Sequence, residues 1–187
     1  RQCLQTASEA PTTTFEPLNI VRASEDKKPF GVAVVVRGDV QLQRADGVLS
    51  VLVGKSLLES DVIVTGAEAQ LKVLMADKNV IFVAPNSRVK LRSLVPPDAG
   101  GFSQATIDLI YGKIRSQVNN KPKIPGKPHF QIRTPAAVAG VRGTDFVVTH
   151  LQGTDMTKVE TLHGAVQLSG HGSSVSSMVK KGQYASY

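Results

Sequence analysis

The sequence of 187 residues is poor in several things, and each shortage removes a class of explanation. It has a single cysteine, Cys3, so no disulfide can form within the chain. Cys3 lies in Arg1-Gln2-Cys3, near an end free to fray, and reads as a free thiol. A lipid-anchored cysteine would begin the mature chain, and here two residues precede it. No signal peptide is visible. There is no tryptophan and only 5% of residues are aromatic. No run of about 18 apolar residues occurs, so no membrane-spanning helix is expected. Acidic residues are also scarce, 15 Asp and Glu against 22 Lys and Arg, for a net charge of +7. The 41% hydrophobic and 20% charged composition is globular rather than disordered. A chain of this length buries roughly 70% of its unfolded surface, so a core needs no metal or disulfide.

Valine is abundant: 25 of them, with 16 glycines, point to short strands and turns. Residues 1–29 read as an extended tail, punctuated by Pro11, Pro17 and the cluster from Ser24 to Pro29. From Phe30 onward the pattern is β. Val32, Val34 and Val36 alternate with Ala33, Val35 and Arg37, and this near-continuous apolar run predicts a strand buried on both faces. Asp46-Gly47 predicts a two-residue hairpin turn. Further strands are expected at 48–53, 61–65, 69–75, 80–83, 107–111, 146–149, 158–162, 166–168 and 175–179. No segment holds a 3.6-residue period over three turns. The expected class is all-β, two related units forming a solenoid-like stack or a β-sandwich.

The charge is concentrated. Between Arg88 and Arg133 stand nine basic residues and two acidic ones, Asp98 and Asp108, which is the entire excess of +7. A local field steers encounter with an anionic partner where a uniform one does not. Its sequence suggests a basic loop insert around 96–128, stiffened by Pro122, Pro125 and Pro128. Lys113, Arg115, Lys121, Lys123, Lys127 and Arg133 are the candidate partner-binding residues. Only Phe102, Tyr111 and Phe130 lie near them, too few for a stacking platform, so nucleic acid is not the expected partner.

A pattern of strand, glycine and strand repeats. It appears around Gly38 in 34–42 and around Gly164 in 159–168, which share Gly-x-Val-Gln-Leu. A weaker copy surrounds Gly112 in 107–115. The first two copies are each followed by a turn built of glycine and lysine, Val53-Gly54-Lys55 and Lys180-Lys181-Gly182. Glycine at a fixed point in a strand pair marks a bulge, bend or close backbone approach.

The stretch 134–148 carries the most specific motif: Thr134-Pro135, then Gly140-Val141-Arg142-Gly143-Thr144-Asp145-Phe146. It resembles the hallmark block of the FecR domain. The following strand at 158–162, Gly164-Ala165-Val166-Gln167-Leu168 and Lys181-Gly182-Gln183 fit the same pattern, as does the upstream half. The resemblance covers roughly 30–187 and implies one domain over that span. Within the motif, Pro135 pre-sets a turn, while Gly140 and Gly143 permit conformations or contacts that a Cβ blocks. Thr144 and Asp145 are suited to fixing the turn, and Arg142 is expected to pair with Asp145 or another internal acid, the alternative being a clamp on a partner's carboxylate.

The resemblance implies a periplasmic or otherwise extracytoplasmic protein of the bacterial envelope. Iron-citrate-type regulators of this family join a helical anti-sigma segment, a membrane helix and a periplasmic domain, and this sequence shows only the last. The leading expectation is therefore a non-catalytic interaction or scaffold module. The alternatives are a module binding peptidoglycan or another anionic glycan, or the periplasmic signalling domain of a FecR-type sigma regulator. The expected partner is an envelope protein with an acidic face, or peptidoglycan.

No catalytic, cofactor or metal set is expected. His150, His163 and His171 match no zinc spacing and read as surface or turn residues. Ser173-Ser174 and Ser176-Ser177 lack a nucleophile elbow. Asp39, Asp46 and Asp61 are candidates for a carboxylate pair only if the fold brings them together.

Overall fold

The computed structural model of the chain describes residues 29–95, 103–119, 129–173 and 175–187. The expected tail up to residue 28, Cys3, and the candidates Lys121, Lys123 and Lys127 lie outside the described residues. Sixteen strands and no helix occur among the described residues. The first eight are β1 (Pro29–Arg37), β2 (Val40–Arg44), β3 (Gly47–Ser50), β4 (Ser56–Leu58), β5 (Val62–Thr65), β6 (Gln70–Met75), β7 (Val80–Val83) and β8 (Ser87–Val95). The long β9 (Gln104–Gln117) follows. The last seven are β10 (Phe130–Arg133), β11 (Ala137–Val141), β12 (Asp145–His150), β13 (Thr157–His163), β14 (Ala165–Gly170), β15 (Ser176–Lys180) and β16 (Tyr184–Ser186).

These strands form two hydrogen-bonded arrays that share β9. Array A runs β4-β1-β6-β7-β9-β12-β13-β16, antiparallel throughout. Array B runs β3-β2-β5-β8-β9-β10-β11-β14-β15, with β9 and β10 its one parallel pair. The N-terminal half of β9 belongs to array B and its C-terminal half to array A. The bend between them is Gly112, at φ +102°. A Cβ there would stand 2.5 Å from Ser87 Cα, so only glycine fits. The bend also shifts the phase of burial. Ala105, Ile107 and Leu109 are buried before it, and Ile114 and Ser116 after it. One β strand thus presents its odd residues to the core in one array and its even residues in the other.

The arrays pack over one apolar core. Phe130 of array B meets Phe146 of array A edge to face, ring centres 6.2 Å apart, and both are fully buried. Burying such side chains stabilises by roughly 1.5–3 kcal/mol each. Most strands alternate buried and half-exposed residues, as a sheet with one wet face requires.

The repeated glycine pattern marks corners between the arrays. Gly38 carries the chain from β1 in A to β2 in B, and Gly164 carries it from β13 in A to β14 in B, both with positive φ (66° and 82°). The closing turns match as well. Gly54 N–H donates to Ala33 O and Gly182 N–H to Thr161 O, each at 2.8 Å. In each copy the second strand pairs with the third and the first with the fourth. So β1–β4 and β13–β16 are the two related units, and they cap opposite ends of the arrays.

Three expectations need correction. The β1 strand is not buried on both faces. Phe30 and Ala33 are fully buried, but Val35 is 39% exposed, because array A is covered on one face only. A register shift between Ala33 and Val35 lies in the same stretch. The hairpin turn falls one residue early, on Ala45-Asp46, with Gly47 already in β3, and that strand ends at Ser50. Finally, the stretch 96–128 is not loop throughout: β9, the strand common to both arrays, runs through its middle.

Candidate functional site

Cross-strand register on the outer face of array A aligns Val35, Lys72, Phe82, Arg115, Val147, Glu160 and Tyr184 in one row across seven strands. Side chains directly opposite one another in such a ladder touch. Lys72 Nζ stands 5.1 Å and Arg115 Cζ 5.7 Å from the centre of the Phe82 ring, so two cations flank one aromatic. A groove of about 440 Å³ opens here, with Val35, Phe82 and Val147 along its floor. Arg37, Lys72, Lys113 and Arg115 edge it.

The charges divide into paired and unpaired. Arg115 donates from Nε and Nη2 to the two carboxylate oxygens of Asp145, at 2.9 and 2.7 Å, and Gln117 adds a third bond at 3.2 Å. The Arg115 guanidinium accordingly holds the Asp145 carboxyl below its ordinary range. Lys158 and Glu160 pair at 2.7 Å, and Lys158 lies over the Tyr184 ring. Lys113 reaches Glu160 only at longer range. Arg37, Lys72 and Lys113 have no ion-pair partner among the described residues.

Of the candidate partner-binding residues that are described, the fold brings Lys113 and Arg115 into this groove. Arg133 is not with them. It lies on the outer face of array B, beside a smaller hollow that Arg92, Asp108 and His171 also line. Arg37, Lys72 and Phe82 had no sequence signal, because they join the groove through the pairing of β1, β6 and β7 with β9, which no spacing reveals.

The motif residues are mostly scaffold. Thr134 accepts from Ala137 N–H at 3.0 Å and shares a bond with Thr157 at 2.7 Å, closing the tight turn at Pro135 between β10 and β11. Gly143 has φ +61°. Gly140 sits in β11 between Gln131 and Gln167. Thr144 donates to the carbonyl of Ala165 at 3.0 Å. Phe146 is core. The expected pairing of Arg142 with Asp145 does not occur. Asp145 turns to Arg115 on the neighbouring strand, and Arg142 is exposed at a shallow hollow with Gln167 and Met178.

The other candidate groups are engaged or apart. His150 is buried, contrary to expectation, with Nδ1 3.0 Å from Thr157 Oγ1. His171 donates to the carbonyl of Thr134 at 2.6 Å. Asp61 is held by Arg44, which binds both its oxygens at 2.7 and 2.8 Å. Among the described residues no three His, Cys, Asp or Glu side chains stand where they could hold a metal ion. No helix there is long and apolar enough to cross a membrane.

Comparison with known proteins bears on the fold and the family. A candidate anti-sigma factor from Parabacteroides distasonis ATCC 8503 has a similar fold in two crystal structures. Each superposes with a TM-score of 0.54 at 18% identity, covering 67% of this chain and 53% of that one. At that identity the likeness is one of fold, and the chain spans about half the length of that protein. No curated protein matches. Residues 61–167, from the start of β5 to within β14, match the family described as FecR protein. That stretch contains β9, the bend at Gly112 and the whole Thr134–Phe146 motif, and the chain belongs to the FecR family.

Proposed function

We propose that the chain is a non-catalytic, periplasmic signalling domain of a FecR-type regulator, and that it receives its signal by contact with another protein on the outer face of array A. The observation that carries this reading is the groove around Phe82. Its unpaired cations Lys72 and Lys113 lie inside the stretch that matches the family, whereas the acids near them are already bound. Family membership and a fold similar to that of a candidate anti-sigma factor favour this over a scaffold module of an envelope assembly. The glycan reading leaned on Lys121, Lys123 and Lys127, which lie outside the described residues.

The test is genetic. Deleting the gene in its host is expected to change transcription of a defined set of promoters. Wild type restores the pattern, and Lys72→Glu/Lys113→Glu at equal protein level does not. An unchanged transcriptome, with envelope proteins lost from the co-purified assembly, would favour the scaffold. Retention on peptidoglycan sacculi that disappears in the Lys121/Lys123/Lys127→Ala variant would favour the glycan.

A further inference from the structure

Resting on that reading, we propose that the groove of array A takes an extended acidic segment of a separate partner protein, carboxylates on Arg37, Lys72 and Lys113 and an apolar side chain on the floor. The row from Val35 to Val147 crosses five strands, so it measures about 19 Å at roughly 4.8 Å per strand spacing. That is the reach of about six extended residues. Asp145 and Glu160 are neutralised by Arg115 and Lys158, so an excess of three positive charges faces an incoming chain. Exposed cations of this kind set partner choice and encounter rate, while the apolar floor supplies burial.

Two other occupants fit less well. A second copy docking by the same face would set Arg37, Lys72 and Lys113 against their own counterparts. An anionic glycan would satisfy the cations but offers Val35 and Val147 only sugar C–H faces and small methyl groups. The Phe82 ring, its stacking surface, is already flanked by Lys72 and Arg115.

The probe is a fluorescein-labelled Glu-Glu-Leu-Glu-Glu-Leu peptide, followed by polarisation with the full chain. Saturable binding is expected, weakened about tenfold in Lys72→Glu/Lys113→Glu, as losing two exposed charge pairs implies. Phe82→Ala is expected to weaken it several-fold and Lys180→Glu, on the far edge of array B, to leave it unchanged. Thermal melts confirm folding, and Lys72→Gln/Lys113→Gln replaces the double variant if it does not fold. No saturable binding, or equal loss in Lys180→Glu, overturns the proposal. So does displacement by an oligogalacturonate of equal charge at equal concentration, or binding that proceeds only through a dimer in sedimentation. Failure here with transcription still dependent on Lys72 and Lys113 rejects the acidic segment alone. Peptide binding without transcriptional dependence rejects the signalling reading alone.

Discussion

Each array carries on its outer face a trio of side chains in register across three neighbouring strands, a cation on either side of a central residue. In array A the trio is Lys72, Phe82 and Arg115; in array B it is Lys90, Asp108 and Arg133. Their centres differ in kind. Asp108 pairs with Arg92, whose Nε lies 2.8 and 3.0 Å from its two oxygens, rather than with Lys90 or Arg133. Phe82 holds cations only through its ring and cancels none of their charge. Each face therefore keeps unpaired cations, and array A differs in setting its own around an apolar groove lined by Val35, Phe82 and Val147. Counting charge along the sequence cannot separate the two, since β9 contributes to both.

The largest effect is expected where the two faces are joined. Gly112→Val forces a β-branched residue into φ +102° against Ser87, and should cost about 3 kcal/mol or more, read by chemical denaturation. If stability is unchanged, the bend does not couple the arrays.

A smaller loss is expected from Asp145→Asn, which removes the acid that holds Arg115 beside Phe82. With Arg115 43% exposed, screening limits the cost to about 1 kcal/mol at neutral pH. Because folding lowers the Asp145 pKa, its contribution is complete above the ordinary carboxylate value of about 3.9. It vanishes as pH falls through the lower folded value. Wild type and variant should therefore converge in acid, and a constant gap down to pH 2 would exclude the ion pair as its source.

The smallest effect is expected from Asp108→Asn in the opposing trio. Its partner Arg92 is 48% exposed, so a melt should fall by less than about 1 kcal/mol.

Much of the architecture was legible because it is local. The strand-glycine-strand copies around Gly38, Gly112 and Gly164 point to bends at three positions, and all three have positive φ in the fold. The Thr134–Phe146 motif pointed to the family for the same reason. What stayed hidden depends on which strands lie side by side. Arg142 and Asp145 are three residues apart and looked like partners, but Asp145 begins β12, and its opposite number there is Gln117 on β9. Lys113 and Arg115 were found by charge and belong to the groove. Phe82, 33 positions before Arg115, became its neighbour only through the register of β7 with β9. The burial of His150 has the same origin: Thr157, on the strand paired with its own, gives it a partner inside.

The sharing of β9 also has a kinetic consequence. Its four partners come from both sides in sequence: β7 and β8 precede it, and β10 and β12 follow. Neither array closes until this strand is in place, and each pairing must first close a loop of chain. Folding limited by such distant contacts takes milliseconds to seconds rather than microseconds. During that interval the valine-rich segments on either side of β9 have unpaired edges, so the step that unites the two arrays is also the one at which a newly made chain is most exposed to aggregation.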